Sequence, residues 1–176
     1  MEIRFSGSGG QGLLLSARIL AAALTEAGLT VAQSNAYEPV SRGGLSRSDL
    51  VIGEAEADYP LAQRLDVLLI LDEAAATVST GLLTPASLVL CDAERVTTPP
   101  QGPFRTLCLP FTETARTLGT PRVTNIVALG ALTAQTSICP PEALMAVIVA
   151  QTPARFERLN REAFAAGLAM GETEPA

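Results

Sequence analysis

The first residues alternate. Glu2-Ile3-Arg4-Phe5-Ser6 sets polar against apolar positions at period two, which predicts a half-buried strand. Glycines follow, and Gln11 to Ala27 then reads as a helix that Gly28 ends as a C-cap. Its Leu13, Leu14, Leu15, Ile19, Leu20 and Leu24 lie nearly all round the axis, so it is buried in the domain or against another chain. Leu29 to Ser34 reads as a second strand, and Asp49 to Gly53, Asp66 to Leu71, Ser87 to Cys91 and Arg105 to Leu109 as further ones. A helical stretch near Glu73 to Ser79 separates two of them. Between Ser34 and Arg47 the periodicity lapses into a long polar connection, and connections of that length tend to bind something.

The last third changes character. Glu113 to Leu118, Val123 to Thr136, Pro141 to Gln151 and Ala154 to Met170 all carry helical patterns, with Pro140-Pro141 opening the third of these. The pattern predicts an α/β domain of three layers, with a mainly parallel or mixed sheet and a helical C-terminal third. It occupies residues 1–170 as one unit, and Gly171 to Ala176 is read as a frayed tail.

Composition narrows what such a domain can do. Nearly half of the 176 residues are hydrophobic and only 4% are aromatic, so the core is aliphatic, as in sheets with buried parallel strands. A net charge of -6 argues against nucleic acid, which needs a basic patch. No basic amphipathic helix or membrane-length apolar run is present, and no charged-then-apolar leader precedes the first strand, so a cytoplasmic protein is expected. The chain has no histidine, and all 12 of its basic side chains are arginine. That excludes a histidine base or metal ligand, a lysine Schiff base and a phosphate-loop lysine from this chain. Cys91, Cys108 and Cys139 are far apart in sequence and form no C-x-x-C pair, so neither an iron–sulfur cluster nor a zinc site is expected here, and no metal site is assigned. No residue is assigned a catalytic role.

Two loops carry the remaining chemistry. Gly7-Ser8-Gly9-Gly10-Gln11-Gly12 satisfies G-x-G-x-x-G between strand and helix, a Rossmann-like start in which glycines permit a tight turn and close approach to an anion. A dinucleotide site also needs an acid at the end of the second strand, and none lies between Glu26 and Glu38. That argues against NAD or FAD. It leaves a structural turn, or a loop that meets an anion or a partner surface. In the second loop Arg42 and Arg47 flank Gly43-Gly44 and Ser46, placing guanidinium forks suited to carboxylate or phosphate on a flexible backbone; two solvated arginines in a turn are the alternative.

Several segments together resemble one family, the gamma subunit or domain of the 2-oxoacid:acceptor (ferredoxin) oxidoreductases. They are Arg4 to Leu13, Ser41-Arg42-Gly43-Gly44-Leu45-Ser46-Arg47-Ser48, Asp58-Tyr59-Pro60, Pro110-Phe111-Thr112-Glu113, Thr124 to Leu132 and Leu159-Asn160 through Gly167. They span nearly the whole chain and are most similar to the 2-oxoglutarate branch. One stretch departs from the family's Y-G-P-E-x-R-G-G: here it reads Tyr37-Glu38-Pro39-Val40-Ser41-Arg42-Gly43-Gly44, with Glu38 for the glycine and Val40 for the glutamate.

The resemblance implies an accessory subunit of a complex that decarboxylates a 2-oxoacid on thiamine diphosphate with magnesium. Electrons then pass through iron–sulfur clusters to ferredoxin, and an acyl-CoA is released, succinyl-CoA where 2-oxoglutarate is the substrate. It further implies alpha and beta partner subunits that hold the thiamine, and a ferredoxin-like delta subunit. Gly7, Gly9, Gly10, Gln11, Gly12, Arg42, Gly43, Gly44 and Asn125 then stand at an interface or near coenzyme A phosphates. Asn125 equally suits a helix-end hydrogen bond with no ligand. Pyruvate, branched-chain 2-oxoacids and indolepyruvate are the alternative substrates, and a free-standing nucleotide-binding or regulatory module is the alternative of another class.

Overall fold

The computed structural model describes residues 1–38, 43–53 and 62–173. Six strands form one sheet: β1 (Glu2–Ser8), β2 (Thr30–Tyr37), β3 (Leu45–Gly53), β4 (Leu65–Ile70), β5 (Leu83–Asp92) and β6 (Arg105–Leu109), in the order β2-β3-β1-β4-β5-β6. Strands β1, β4, β5 and β6 run parallel, while β3 is antiparallel to both of its neighbours, so the sheet is mixed. Among the described residues there are five α-helices: α1 (Leu13–Glu26), α2 (Phe111–Thr117), α3 (Thr124–Thr136), α4 (Pro141–Gln151) and α5 (Glu157–Glu172).

One face of the sheet carries the helices. Ile3, Phe5, Leu50, Val67, Leu69 and Leu90 pack there against residues of all five helices in one aliphatic core. On the other face Leu68, Ile70, Val89 and Cys91 are covered by short turns and connections, including Ala75, Ala76 and Val96. The predicted helix near Glu73 to Ser79 is two single 3-10 turns, Glu73–Ala75 and Thr80–Leu82. Asp72 caps the first by accepting from the Ala74 N–H at 3.2 Å, and three alanines let it lie close to the sheet.

The long polar connection expected from Ser34 to Arg47 is a correction. Much of it is a hairpin, with Asn35 opposite Ser48 and Tyr37 opposite Ser46. Its side chains satisfy one another across the strands: Gln33 Nε2 donates to Ser48 Oγ at 2.9 Å, and Ser48 Oγ donates to Asn35 Oδ1 at 2.6 Å. A polar sequence pairs as strand when such cross-strand bonds replace apolar contacts. Residues 39–42, and with them Arg42 and Val40, lie outside the described residues, as does Asp58-Tyr59-Pro60.

The frayed tail is also corrected at its start. Helix α5 continues to Glu172, and Gly171 is buried, its carbonyl accepting from Gln135 Nε2 at 2.5 Å. Helices α3 and α5 approach so closely that a Cβ at Gly167 would overlap the Val127 carbonyl. That crossing needs glycine, and with Gly171 packed on Ala131 and Ala134 it holds α3 along its length while its N-terminal end faces the site.

Candidate functional site

The carboxyl ends of the four parallel strands converge at one edge of the sheet, where open α/β sheets place their ligands. There β1 runs into the glycine loop, β4 into Leu71-Asp72, β5 into Asp92 and β6 into Pro110. Gln11 folds back across the loop. Its Oε1 accepts from the Ser8 N–H at 2.8 Å and its Nε2 donates to the Leu71 carbonyl at 2.8 Å, tying β1 to β4. A side chain at Gly7 would collide with that Gln11 oxygen. Ser8 Oγ donates to Asp72 Oδ2 at 3.2 Å, closing the same junction.

Gly12 caps α1 in the left-handed region at φ 77°. A Cβ there would lie 2.7 Å from the Asn125 amide nitrogen. Asn125 is only 4% exposed, and its Nδ2 donates to Ser16 Oγ at 3.1 Å and to the Gly12 carbonyl at 3.4 Å. It therefore fastens the first turn of α3 to the first turn of α1. Gly44 reaches the loop from the hairpin side, its carbonyl accepting from the Gly9 N–H at 3.0 Å. The structure thus brings together Gly7, Gly9, Gly10, Gln11, Gly12, Gly44 and Asn125, with Gly43 exposed beside them at φ 76°. Glu38, the departure from the family pattern, takes a structural part: its carboxylate accepts from the Leu45 N–H at 3.2 Å and closes the hairpin.

Beside the loop lies a cavity of about 190 Å³, bounded by Gly10, Gln11, Arg95, Thr112, Pro121, Arg122 and Thr124. Arg95 and Arg122 are not singled out by any spacing in the sequence. Both are exposed, and neither makes an ion pair among the described residues. The nearby Arg116, by contrast, is gripped by the Glu94 carboxylate. Asp92, fully buried, organises the wall: it accepts from the Glu94 N–H at 3.0 Å, the Thr112 N–H at 3.1 Å and the Thr112 hydroxyl. Asp92 was also missed in the sequence, and Thr112 stood there only within the Pro110-Phe111-Thr112-Glu113 segment. Arg122 borders a second cavity of about 300 Å³ floored by Leu15, Ile126 and Leu159, so it stands between a polar and an apolar hollow.

Such a corner can bind an anion. Two guanidiniums and loop backbone at φ 90° on Gly10 offer donors, while the Thr112 and Thr124 hydroxyls already donate to Asp92 and the Pro121 carbonyl. No group of three His, Cys, Asp or Glu side chains gathers among the described residues to hold a metal ion. Burial pushes the Cys91 thiol well above the ordinary thiol range, with the neighbouring Cys108 adding to it, and burial likewise raises Cys139. No helix among the described residues is long and apolar enough to cross a membrane.

Comparison with known proteins adds to this geometry. A 2-oxoglutarate synthase subunit KorC from Archaeoglobus fulgidus is 36% identical over 97% of this chain and 88% of its own length. The crystal structure of a keto/oxoacid ferredoxin oxidoreductase gamma subunit from Geobacter sulfurreducens superposes with a TM-score of 0.85 at 36% identity, covering 98% of this chain and 99% of that one. The 2-oxoglutarate:ferredoxin oxidoreductase from Magnetococcus marinus, with 2-oxoglutarate, coenzyme A and succinyl-CoA bound, shares the fold at a TM-score of 0.88 and 23% identity, over 99% of this chain and 31% of its own. The pyruvate ferredoxin/flavodoxin oxidoreductase profile matches residues 2–170, and the chain belongs to that family.

Proposed function

We propose that this chain is the gamma subunit of a 2-oxoacid:ferredoxin oxidoreductase acting on 2-oxoglutarate, and that it serves the complex as a binding element. The observation that carries the reading is its likeness to 2-oxoglutarate synthase subunits along almost the whole chain. Thiamine diphosphate, magnesium and the iron–sulfur clusters belong to alpha and beta partners and a ferredoxin-like delta subunit, with ferredoxin as acceptor and the cytoplasm as location. This chain's own part is to receive coenzyme A phosphates at the corner of Gly10, Arg95 and Arg122, with Gly43 and Gly44 beside it. Its support is the pair of guanidiniums at the carboxyl edge of the sheet that make no ion pair among the described residues, which in an acidic protein stand ready for a polyanion.

The test is reconstitution with the neighbouring gene products. Viologen reduction is followed with 2-oxoglutarate, pyruvate, a branched-chain 2-oxoacid and indolepyruvate, with and without this chain. A clear preference for 2-oxoglutarate and loss of activity on omission are expected. A monodisperse monomer that joins no thiamine-dependent partner would overturn the subunit reading, and preference for another oxoacid would overturn the substrate.

A further inference from the structure

Strands β5 and β6 place two thiols side by side. Cys91 and Cys108 are register partners on neighbouring parallel strands, so their side chains leave the same face of the sheet. Strands pair about 4.7–4.9 Å apart, which lies inside the Cα separation of about 4.4–6.8 Å that a disulfide spans. The surroundings of the two thiols differ: Cys108 is exposed, while Cys91 is buried among Leu68, Ile70 and Val89. Cys139 belongs to the core on the opposite face and is no competitor for either.

We propose that Cys91 and Cys108 form a reversible disulfide when the protein meets a low-molecular-weight disulfide oxidant. Cys108, as thiolate, attacks one sulfur of the oxidant and releases the first small thiol. Cys91 then gives up its proton and attacks the Cys108 sulfur of the mixed disulfide, releasing the second. Two protein thiols are oxidised, one small disulfide is reduced to two thiols, and atoms and electrons balance. The buried position of Cys91 holds it protonated until the mixed disulfide forms beside it, so Cys108 is the entry point and Cys91 the resolving partner. The bridge joins β5 and β6 immediately before Asp92 and Leu109, and so fastens the two strand ends whose extensions carry Arg95 and Thr112. It stands independently of the substrate reading.

The test treats the full chain with oxidised glutathione and follows it by intact mass and by tryptic mapping under non-reducing conditions. Cleavage at arginine separates Leu65–Arg95 from Thr106–Arg116, so a link between those peptides identifies the bridge. The expected result is that link in most molecules, with two glutathione thiols released per chain. It should form faster at higher pH, reverse with dithiothreitol, persist in Cys139→Ser and vanish in Cys108→Ser. The oxidised chain should also melt at a higher temperature than the reduced one. Cys108 is exposed, so its replacement leaves the fold intact, as circular dichroism would verify. A stable glutathione adduct on Cys108 with Cys91 still free, or a link that includes Cys139, overturns the proposal.

Discussion

Two groups of arginine in this molecule have opposite surroundings. Arg4 is 3% exposed and each nitrogen of its guanidinium has a partner: Nε and Nη2 donate to the two oxygens of Asp49 at 2.7 and 2.6 Å, and Nη1 donates to Ser79 Oγ at 2.9 Å. The pairing follows from register, because Arg4 stands opposite Asp49 in the β1–β3 ladder. Arg95 and Arg122 are exposed beside the glycine loop with no carboxylate to meet them among the described residues. A buried cation must be paired or the fold is lost, whereas an exposed one costs little to leave open. The same residue type is therefore structural in the sheet and free for a ligand at its edge.

The comparison is broken most directly from its buried side. Asp49→Ala leaves the Arg4 charge in the sheet without its partner and should cost about 3–5 kcal/mol in urea denaturation. Replacing both members together, Arg4→Met with Asp49→Leu, should recover much of that loss, because the stranded charge goes with its partner. If Asp49→Ala cost no more than a surface substitution, the claim that Arg4 is structural would fail.

Gly12→Ala should have the next largest effect. It forces a side chain into the left-handed region and against the Asn125 amide, costing about 1–2 kcal/mol for the backbone alone. A variant that is destabilised yet, once folded, binds anion normally would mark Gly12 as scaffold. Gly10 tests the converse: its added Cβ meets nothing within 4 Å, so Gly10→Ala carries only the backbone cost, and any loss of anion binding beyond that belongs to the cavity it borders.

These glycines show how far the sequence could be read. The G-x-G-x-x-G spacing located the loop and the sheet edge correctly, and Arg105–Leu109 and Pro141–Gln151 match their elements end for end. The spacing does not show what each glycine makes room for. Gly7 is there to make room for Gln11, and Gly12 for Asn125, the second a contact between residues far apart in the chain. Arg95 and Arg122 escaped notice for the same reason: two separate connections bring them to one cavity, and no spacing records that. The hairpin was missed because its strands are held by Ser48, Asn35 and Gln33 rather than by apolar alternation.

On the exposed side, Arg122→Ala should leave stability within about 0.5 kcal/mol of the native chain, as surface substitutions do. Coenzyme A binding, measured by titration calorimetry on the assembled complex, should weaken about tenfold, the equivalent of one lost charge-assisted hydrogen bond. Rising salt should shrink the difference between the two proteins, because both contacts are with charge near the surface. A large stability loss with unchanged affinity would place Arg122 with Arg4 and dissolve the distinction.

The smallest expected effect concerns how firmly Arg95 is held. The Glu73 carboxylate accepts from the Thr97 N–H at 2.6 Å and the Thr98 N–H at 3.2 Å, just beyond the turn that carries Arg95. The Thr98 N–H chiefly, with Thr97 assisting, holds its pKa below the ordinary carboxylate value. A group depressed in the folded state contributes stability above its unfolded pKa and loses it as pH falls through the folded one. Acidification below the ordinary carboxylate range should therefore loosen this tether, and Glu73→Gln should flatten that part of the pH–stability curve without changing the midpoint sequence of other carboxylates. Because Glu73 is fully solvent-exposed the change is small, but its direction is fixed: the native chain loses stability faster than Glu73→Gln on acidification. The reverse order would mean that the Arg95 turn is held by something other than Glu73, and that the open cation at the sheet edge has a support of its own.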